Sequence, residues 1–260
     1  MHSINRGFAV GALALVALGT ALPAAARTLE ITVTNEAAAD GLFLTPTLFI
    51  MHNGTFDAFD EGQPALQALE DLAEEGTVGG LQGLAGAFPS AVAANAAGFG
   101  GAPVLDPGES STVFIDVDPD ETPFLSFFSM VIPSNDIFIG NAIATQYRVL
   151  DDNGSLAISE INVFGDQAWD AGTEVNNGEG AAFSNMLPAT DENGVVTGVS
   201  DLSILNGLSR ASGGTVGSTP GAGDLIASIQ IAAVPLPAAL PLLLAGLGGL
   251  GLASRRRRRG

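Results

Sequence analysis

The feature that most constrains this chain is a series of short apolar runs with a two-residue period, separated by turn residues. From Thr28 to Thr34, Leu29, Ile31 and Val33 alternate with Thr28, Glu30 and Thr32. Successive side chains of a strand point to opposite faces, so this run is a half-buried strand. Glu109 to Val117 alternates in the same way, with Ser111, Val113, Ile115 and Val117 on one face. Phe124 to Ile132 is strongly apolar and aromatic, as expected of a central sandwich strand. Leu42 to Met51 reads as a strand broken at Pro46, which cannot donate to a ladder and marks an edge or a bulge. Ile137 to Ile139 continues after the turn Pro133-Ser134-Asn135-Asp136. Gln146 to Leu150 and Leu156 to Val163 flank Asp151-Asp152-Asn153-Gly154, where Asn-Gly favours a tight hairpin. Ile204 to Leu208 and Leu225 to Ala232 supply the last strands.

One segment has a different period. Leu66, Leu69 and Leu72 recur every third residue over Ala65 to Ala73, with Pro64 in front and Gly76 behind, which predicts a short helix. A second, weaker helix is predicted through Val78 to Ala87, and Ala91 to Ala102 and Gly172 to Asn185 read as loops. Six to eight short strands with one or two short helices predict a mainly β fold, an antiparallel β-sandwich. The Gly/Ser/Pro stretch at 212–223 is expected to be a flexible segment before the closing strand.

The two ends do not belong to that fold. Residues 1–26 have a positive residue at Arg6, an apolar stretch from Phe8 to Leu22 and the small residues Ala24-Ala25-Ala26, the three parts of a secretion signal peptide. Residues 234–260 begin Val234-Pro235-Leu236-Pro237-Ala238, run uncharged from Leu236 to Ala253, and finish in Arg255 to Arg259. Such an apolar stretch is near the minimum for crossing a bilayer, with the arginines retained in the cytoplasm. Short proline motif, apolar helix and arginine cluster, in that order, resemble the Val-Pro-Leu-Pro-Ala variant of the bacterial C-terminal sorting signals. That resemblance implies a transmembrane sorting helix and a partner in the inner membrane of a Gram-negative bacterium, an exosortase that processes it. The expected product is an exported protein at the cell surface or in the extracellular matrix, spanning 27–233.

All 28 acidic residues lie between Arg27 and Ala233, against only Arg27, Arg148 and Arg210, a net charge of −25 there. Such a domain repels nucleic acid and anionic lipid and attracts cations. The chain has no cysteine, which excludes thiol catalysis, thiolate metal sites and disulfides. It has no lysine, so no phosphate-cradling Gly-Lys-Ser loop exists. His52 is the single histidine outside the signal; alone at a strand end beside Asn53-Gly54, it reads as a structural hydrogen-bonding residue rather than a catalytic base. No Gly-x-Ser-x-Gly elbow accompanies it. The densest polar cluster is Gly165 to Glu174, where Asp170 and Glu174 stand four apart around Gly172 and could turn toward one point. Hard cations such as Ca²⁺ take several oxygen ligands, but the spacing is not that of an EF-hand, and by composition alone a solvated acidic loop is the better reading of the cluster. Trp169, the only tryptophan, either packs the loop base into the core or stands as a stacking platform.

Ile132-Pro133-Ser134-Asn135-Asp136-Ile137-Phe138-Ile139-Gly140, followed by Trp169-Asp170-Ala171-Gly172-Thr173-Glu174, resembles the spondin N-terminal domain family. That family carries Pro-Ser-Pro-Asp-Trp, two apolar residues and Gly, then Trp-Asp-Ala-Gly-Thr-Asp. His52-Asn53-Gly54-Thr55-Phe56-Asp57-Ala58-Phe59 is similar to its bacterial members, and the resemblance spans about Thr28 to Phe183. It implies a β-sandwich with one Ca²⁺ held at a loop end by Asp136, Asp170 and Glu174; Asp166, in the same cluster, is a separate candidate helper. Asn135, Ile137 and Glu174 depart from the family's Pro, Trp and Asp, and the longer Glu174 side chain moves its carboxylate by one carbon–carbon bond. The expected function is a non-enzymatic, Ca²⁺-binding, adhesive or biofilm-associated surface protein with an extracellular glycan or surface protein as partner. A purely structural matrix protein without a metal, and a polysaccharide hydrolase, are the alternatives.

Overall fold

The computed structural model describes residues 27–95, 103–181, 188–210 and 212–235. The expected signal peptide and the expected sorting tail beyond Pro235 lie outside the described residues. Eleven strands and two helices follow in order: β1 (Arg27–Asn35), β2 (Phe43–Leu44), β3 (Thr47–His52), α1 (Gln67–Glu75), α2 (Gly79–Ala85), β4 (Ser90–Ala93), β5 (Ser110–Val117), β6 (Phe124–Ile132), β7 (Ile137–Gly140), β8 (Glu160–Phe164), β9 (Ala168–Asp170), β10 (Thr197–Val199) and β11 (Leu225–Ala233). They form two antiparallel sheets, one ordered β5-β1-β11-β8, the other β10-β9-β7-β6-β3-β4 with β2 also on β6. The mainly β sandwich expected from the alternating runs is present.

The two sheets differ in how they are buried. The four-stranded sheet buries one face: along β1, Leu29, Ile31 and Val33 are fully buried and the residues between them are not. These side chains meet Phe49, Met51, Leu125 and Phe127 of the larger sheet in the main core. The larger sheet is covered on its other face too. There Leu48, Ile50, Phe128 and Phe138 pack against Leu69, Leu72 and Ala73 of α1 and Leu81 of α2. Every residue of β3 and nearly every residue of β6 is therefore buried, and both read as continuous apolar runs rather than alternations. The molecule has three layers: sheet, sheet and a helical cover. Gly76 ends α1 in the left-handed conformation (φ 67°), and a Cβ there would lie 2.6 Å from Thr45 Cγ2, so the helix stops where it meets the sheet.

Four local expectations are corrected. The first residues of the Ala91 to Ala102 loop form β4, which covers the edge of β3 through the pairs Phe49↔Ala91 and Leu48↔Val92. Gln146 to Leu150 is not a strand: it pairs with β6 only at the bridge Phe124↔Arg148, because its neighbour there is Pro123, whose carbonyl accepts from Val149 and Leu150 but which has no N–H to return. Ile204 to Leu208 is replaced by a 3₁₀ turn at Leu202–Leu205, capped by Asp201 accepting from Ser203 N (2.8 Å). Leu202 and Leu205 are buried and Ile204 is 50% exposed, the three-residue spacing of a turn. Within 212–223, Val216 is buried in the main core and Gly217 N donates to Asp40 O (3.0 Å), so that stretch is tied to the sandwich.

Double-sided burial forces the polar groups of the larger sheet to find partners. His52 is fully buried; its Nδ1 accepts from Gly54 N (3.0 Å), which leaves the ring proton on Nε2, facing Ser126 Oγ at 3.0 Å. Asn141 Nδ2 donates to the same hydroxyl (3.1 Å), while Asn141 Oδ1 accepts from Phe127 N (3.1 Å). Burial pushes the His52 imidazole down from its ordinary 6.5 to about 4. The unfolded state thus binds the proton more readily, and the neutral histidine's contribution to stability is full above pH 6.5 and lost as pH falls toward 4. The loss at pH 4 is about 3 kcal/mol. His52→Gln, which can make both hydrogen bonds and cannot titrate, should gain stability relative to wild type between pH 6.5 and 4 in urea titrations. A difference between the two proteins that stays flat with pH contradicts this account of His52.

Candidate cation site

The turn before β7 and the end of β9 lie side by side at one end of the larger sheet. Ile137 pairs with Asp170 and Phe138 with Trp169 across β7 and β9. Ala171 N donates to the carbonyl of Asp136 (3.1 Å), so the segment Pro133 to Asp136 and the segment Trp169 to Glu174 meet in space. The turn is held from within, since Ser134 Oγ accepts from Ile137 N (3.1 Å) and donates to Val131 O. Asn135, almost fully buried, donates from Nδ2 to Val175 O (2.8 Å) and stitches the turn to the far side of the loop. At Gly172 (φ 68°) a Cβ would sit 2.5 Å from Val195 O, so only glycine lets the 190–195 segment close over the loop. Trp169 packs edge-on against Phe59 (5.2 Å between centroids) and donates from Nε1 to Gly140 O (3.0 Å), so it anchors the loop base to the core.

This scaffold presents the Asp136 carboxylate with no solvent exposure. Its Oδ2 accepts from the backbone N–H groups of Thr173 and Glu174, both at 3.0 Å. Its Oδ1 is buried and has no hydrogen-bond partner. Asp170 is half-buried beside it; Asp170 Oδ1 accepts from Gly172 N (2.6 Å) and Oδ2 from Asn176 Nδ2 (2.5 Å). The two carboxylates stand within hydrogen-bonding reach of one another. Burial, opposed by the Thr173 and Glu174 N–H groups and reinforced by the Asp170 charge, pushes Asp136 up to about 6. Burial also raises Asp170. Like charges this close and this dry cannot both ionise freely, so a proton or a cation belongs between them.

Glu174 is placed differently from the two aspartates. Its backbone N–H grips Asp136, and its carboxylate is pushed up to about 7 by burial, then by the charges of Glu74, Asp136, Asp191 and Glu70. Among the described residues, no three His, Cys, Asp or Glu side chains converge as a ready-made metal group. Asp136 and Asp170 are brought together, and the Glu174 carboxylate lies close enough for the Asp136 charge to raise it. Asp166 lies in an exposed 3₁₀ turn at Gly165–Gln167, at the opposite end of β9 from Asp170.

Three acids that sequence reasoning passed over bear on Glu174 and Asp170. Glu74, in the last turn of α1, bears electrostatically on Glu174. Asp191 bears electrostatically on Glu174 and Glu192 on Asp170, and Glu192 N donates to Thr173 O (2.6 Å). Glu74-Glu75 marks a helix end in the sequence, but carboxylates there oppose the helix dipole, and that local misfit is the one signal that could have flagged Glu74. Among the described residues the single ion pair is Arg148–Asp152, so no arginine neutralises this rim.

An ionised Asp136 is disfavoured in the fold. Its contribution to stability is full below pH 3.8 and is lost as pH rises through about 6. With divalent ions chelated, Asp136→Asn should therefore gain stability over wild type as pH rises from 4 to 7, because the amide oxygen can keep the Thr173 and Glu174 N–H bonds without a charge. Thermal melts across that range test this, and a variant that loses ground to wild type as pH rises would rule it out. No protein-family model matches the chain and no curated protein matches it, so the chemistry of this site is argued from its own geometry.

Proposed function

We propose that the chain is an exported, non-enzymatic β-sandwich that binds Ca²⁺ between Asp136 and Asp170 and works in adhesion or in an extracellular matrix. The observation that carries the cation is the unpartnered, buried Oδ1 of Asp136, in a carboxylate raised by burial and by the charge of the neighbouring Asp170. A hard divalent ion takes six to eight oxygens. Asp136 and Asp170 supply the buried ones, Glu174 is the nearest further acid in the loop, and Glu74, Asp191 and Glu192 stand in the rim. An ion there would offset the cost of burying two carboxylates and join the β7 turn to the β9 loop. Export rests on the two sequence ends: the secretion signal and the sorting tail, with its inner-membrane processing enzyme.

The pair gives little support to a polysaccharide hydrolase. That chemistry needs two carboxyl groups roughly 5–10 Å apart across an open cleft. Asp136 is fully buried and already within hydrogen-bonding reach of Asp170.

The test is a pair of thermal melts of the full chain, with excess Ca²⁺ and with chelator, beside Asp170→Ala. A ligand at a hundredfold its dissociation constant stabilises by about 2.7 kcal/mol, which for a chain of this size raises Tm by about 5–10 °C. The wild type should shift by that amount and the variant should not. If Ca²⁺ leaves both midpoints in place, the rim is solvated surface and the cation reading fails.

A further inference from the structure

The four-stranded sheet turns its second face to solvent, and that face has a particular chemistry. Its β1–β5 half is a ladder of side-chain rungs: Thr28 Oγ1 donates to Asp116 Oδ1 (2.6 Å), and the hydroxyl pairs Thr32–Thr112 (2.7 Å) and Thr34–Ser110 (2.8 Å) follow. These rungs satisfy one another across the strands and fix a flat platform. In the middle of that platform stands Phe114, 61% exposed, directly opposite Glu30. Among the described residues, nothing covers this aromatic ring at a wet position of an alternating strand.

On the far side of β1 the surface dips. Ala232, opposite Glu30, offers only a methyl group, and around it opens a trough of about 330 Å³ lined by Glu30, Thr32, Glu160 and Gln230. Gln230 faces Thr32 across one strand pair and Glu160 across the next. Among the described residues, Glu30, Glu160 and Gln230 make no side-chain hydrogen bond, in contrast to the satisfied rungs beside them. Phe114 and the trough floor lie two strand spacings apart, about 10 Å.

The partner's chemistry follows from this lining. Carboxylates accept hydrogen bonds and do not donate, so the trough asks for hydroxyl donors. Arg27 falls on the opposite face of β1 by alternation, and Arg148 and Arg210 belong to other segments, so nothing here attracts an anion. The ring face of Phe114 packs against an apolar C–H surface. A partner with C–H ring faces and many hydroxyls, without negative charge, meets all three demands. We propose that this sheet face binds a neutral polysaccharide, one sugar ring stacked on Phe114 and neighbouring hydroxyls held by Glu30, Glu160 and Gln230.

This surface is distinct from the cation site, and the inference stands without it. The experiment is affinity electrophoresis of the full chain, in chelator, through gels containing dextran, hydroxyethylcellulose, galactomannan or alginate. At least one of the three neutral polymers should retard the wild type, while the acidic alginate should not. Phe114→Ala and Gln230→Ala should each weaken that retardation about tenfold or more, as removal of a central contact does. Phe114 is exposed, so its loss should leave the melting midpoint unchanged, and Asp136→Asn should bind as wild type. Absence of retardation by all three neutral polymers, retardation by alginate alone, or undiminished binding by both variants overturns the proposal. So does self-association that depends on Phe114 in a chain that binds no glycan, which would give the face to a second copy.

Discussion

Everything in this molecule is arranged around a sheet that is dry on both sides. β3 and β6 face the smaller sheet on one side and the two helices on the other, so their backbone and side chains have no access to water. Each large apolar side chain placed there, such as Phe127 or Phe138, contributes about 1.5–3 kcal/mol by leaving water. Each polar one must be matched within the protein. Ser129 donates to Thr45 O (2.9 Å), Met130 N donates to Thr45 Oγ1 (2.9 Å), and His52, Ser126 and Asn141 share a network. The helices are part of the same solution. Without α1 and α2, Leu48, Ile50 and Phe128 would face solvent.

The rule of matched polarity has exceptions at Thr47 Oγ1, Asp106 Oδ1 and the carboxylate pair, and the position of the pair explains how it persists. Asp136 lies one residue before β7 and Asp170 ends β9, at the rim where the dry sheet gives way to loops. Two backbone N–H groups hold one oxygen of Asp136, and the other is left over. α1, which covers the sheet with its leucines, also carries Glu74 into the rim at its C-terminal end. The same helix thus closes the core and adds charge that the fold alone does not compensate.

Residue period made much of this legible before any coordinates. The alternation of Leu29, Ile31 and Val33 is the burial pattern of β1, and the three-residue spacing of Leu69 and Leu72 is the buried face of α1. The continuous apolar run at Phe124 to Ile132 marked a central strand, though not that helices would cover its second face. The runs that misled were those where period and partner disagree. Leu202, Ile204 and Leu205 are apolar enough for a strand, yet Asp201 caps them into a turn. β9 and β10, three residues each, are too short to show a period and exist because they pair with β7 and each other. In the site, the family resemblance singled out Asp136 and Asp170, which do meet. It could not reveal that the Glu174 backbone N–H would hold Asp136, nor that Glu74, Asp191 and Glu192 would arrive from elsewhere in the chain.

Trp169 is the only tryptophan in the chain, and the residue after it is Asp170. Its indole is wedged against Phe59 and hydrogen-bonded to Gly140, so the ring cannot move without the strand that carries the carboxylate. All of the protein's tryptophan emission therefore originates one residue from the acidic pair. A change in charge or occupancy between the two aspartates would be felt by that single fluorophore against no background from others. The fold has placed an intrinsic optical probe beside the group whose state matters most.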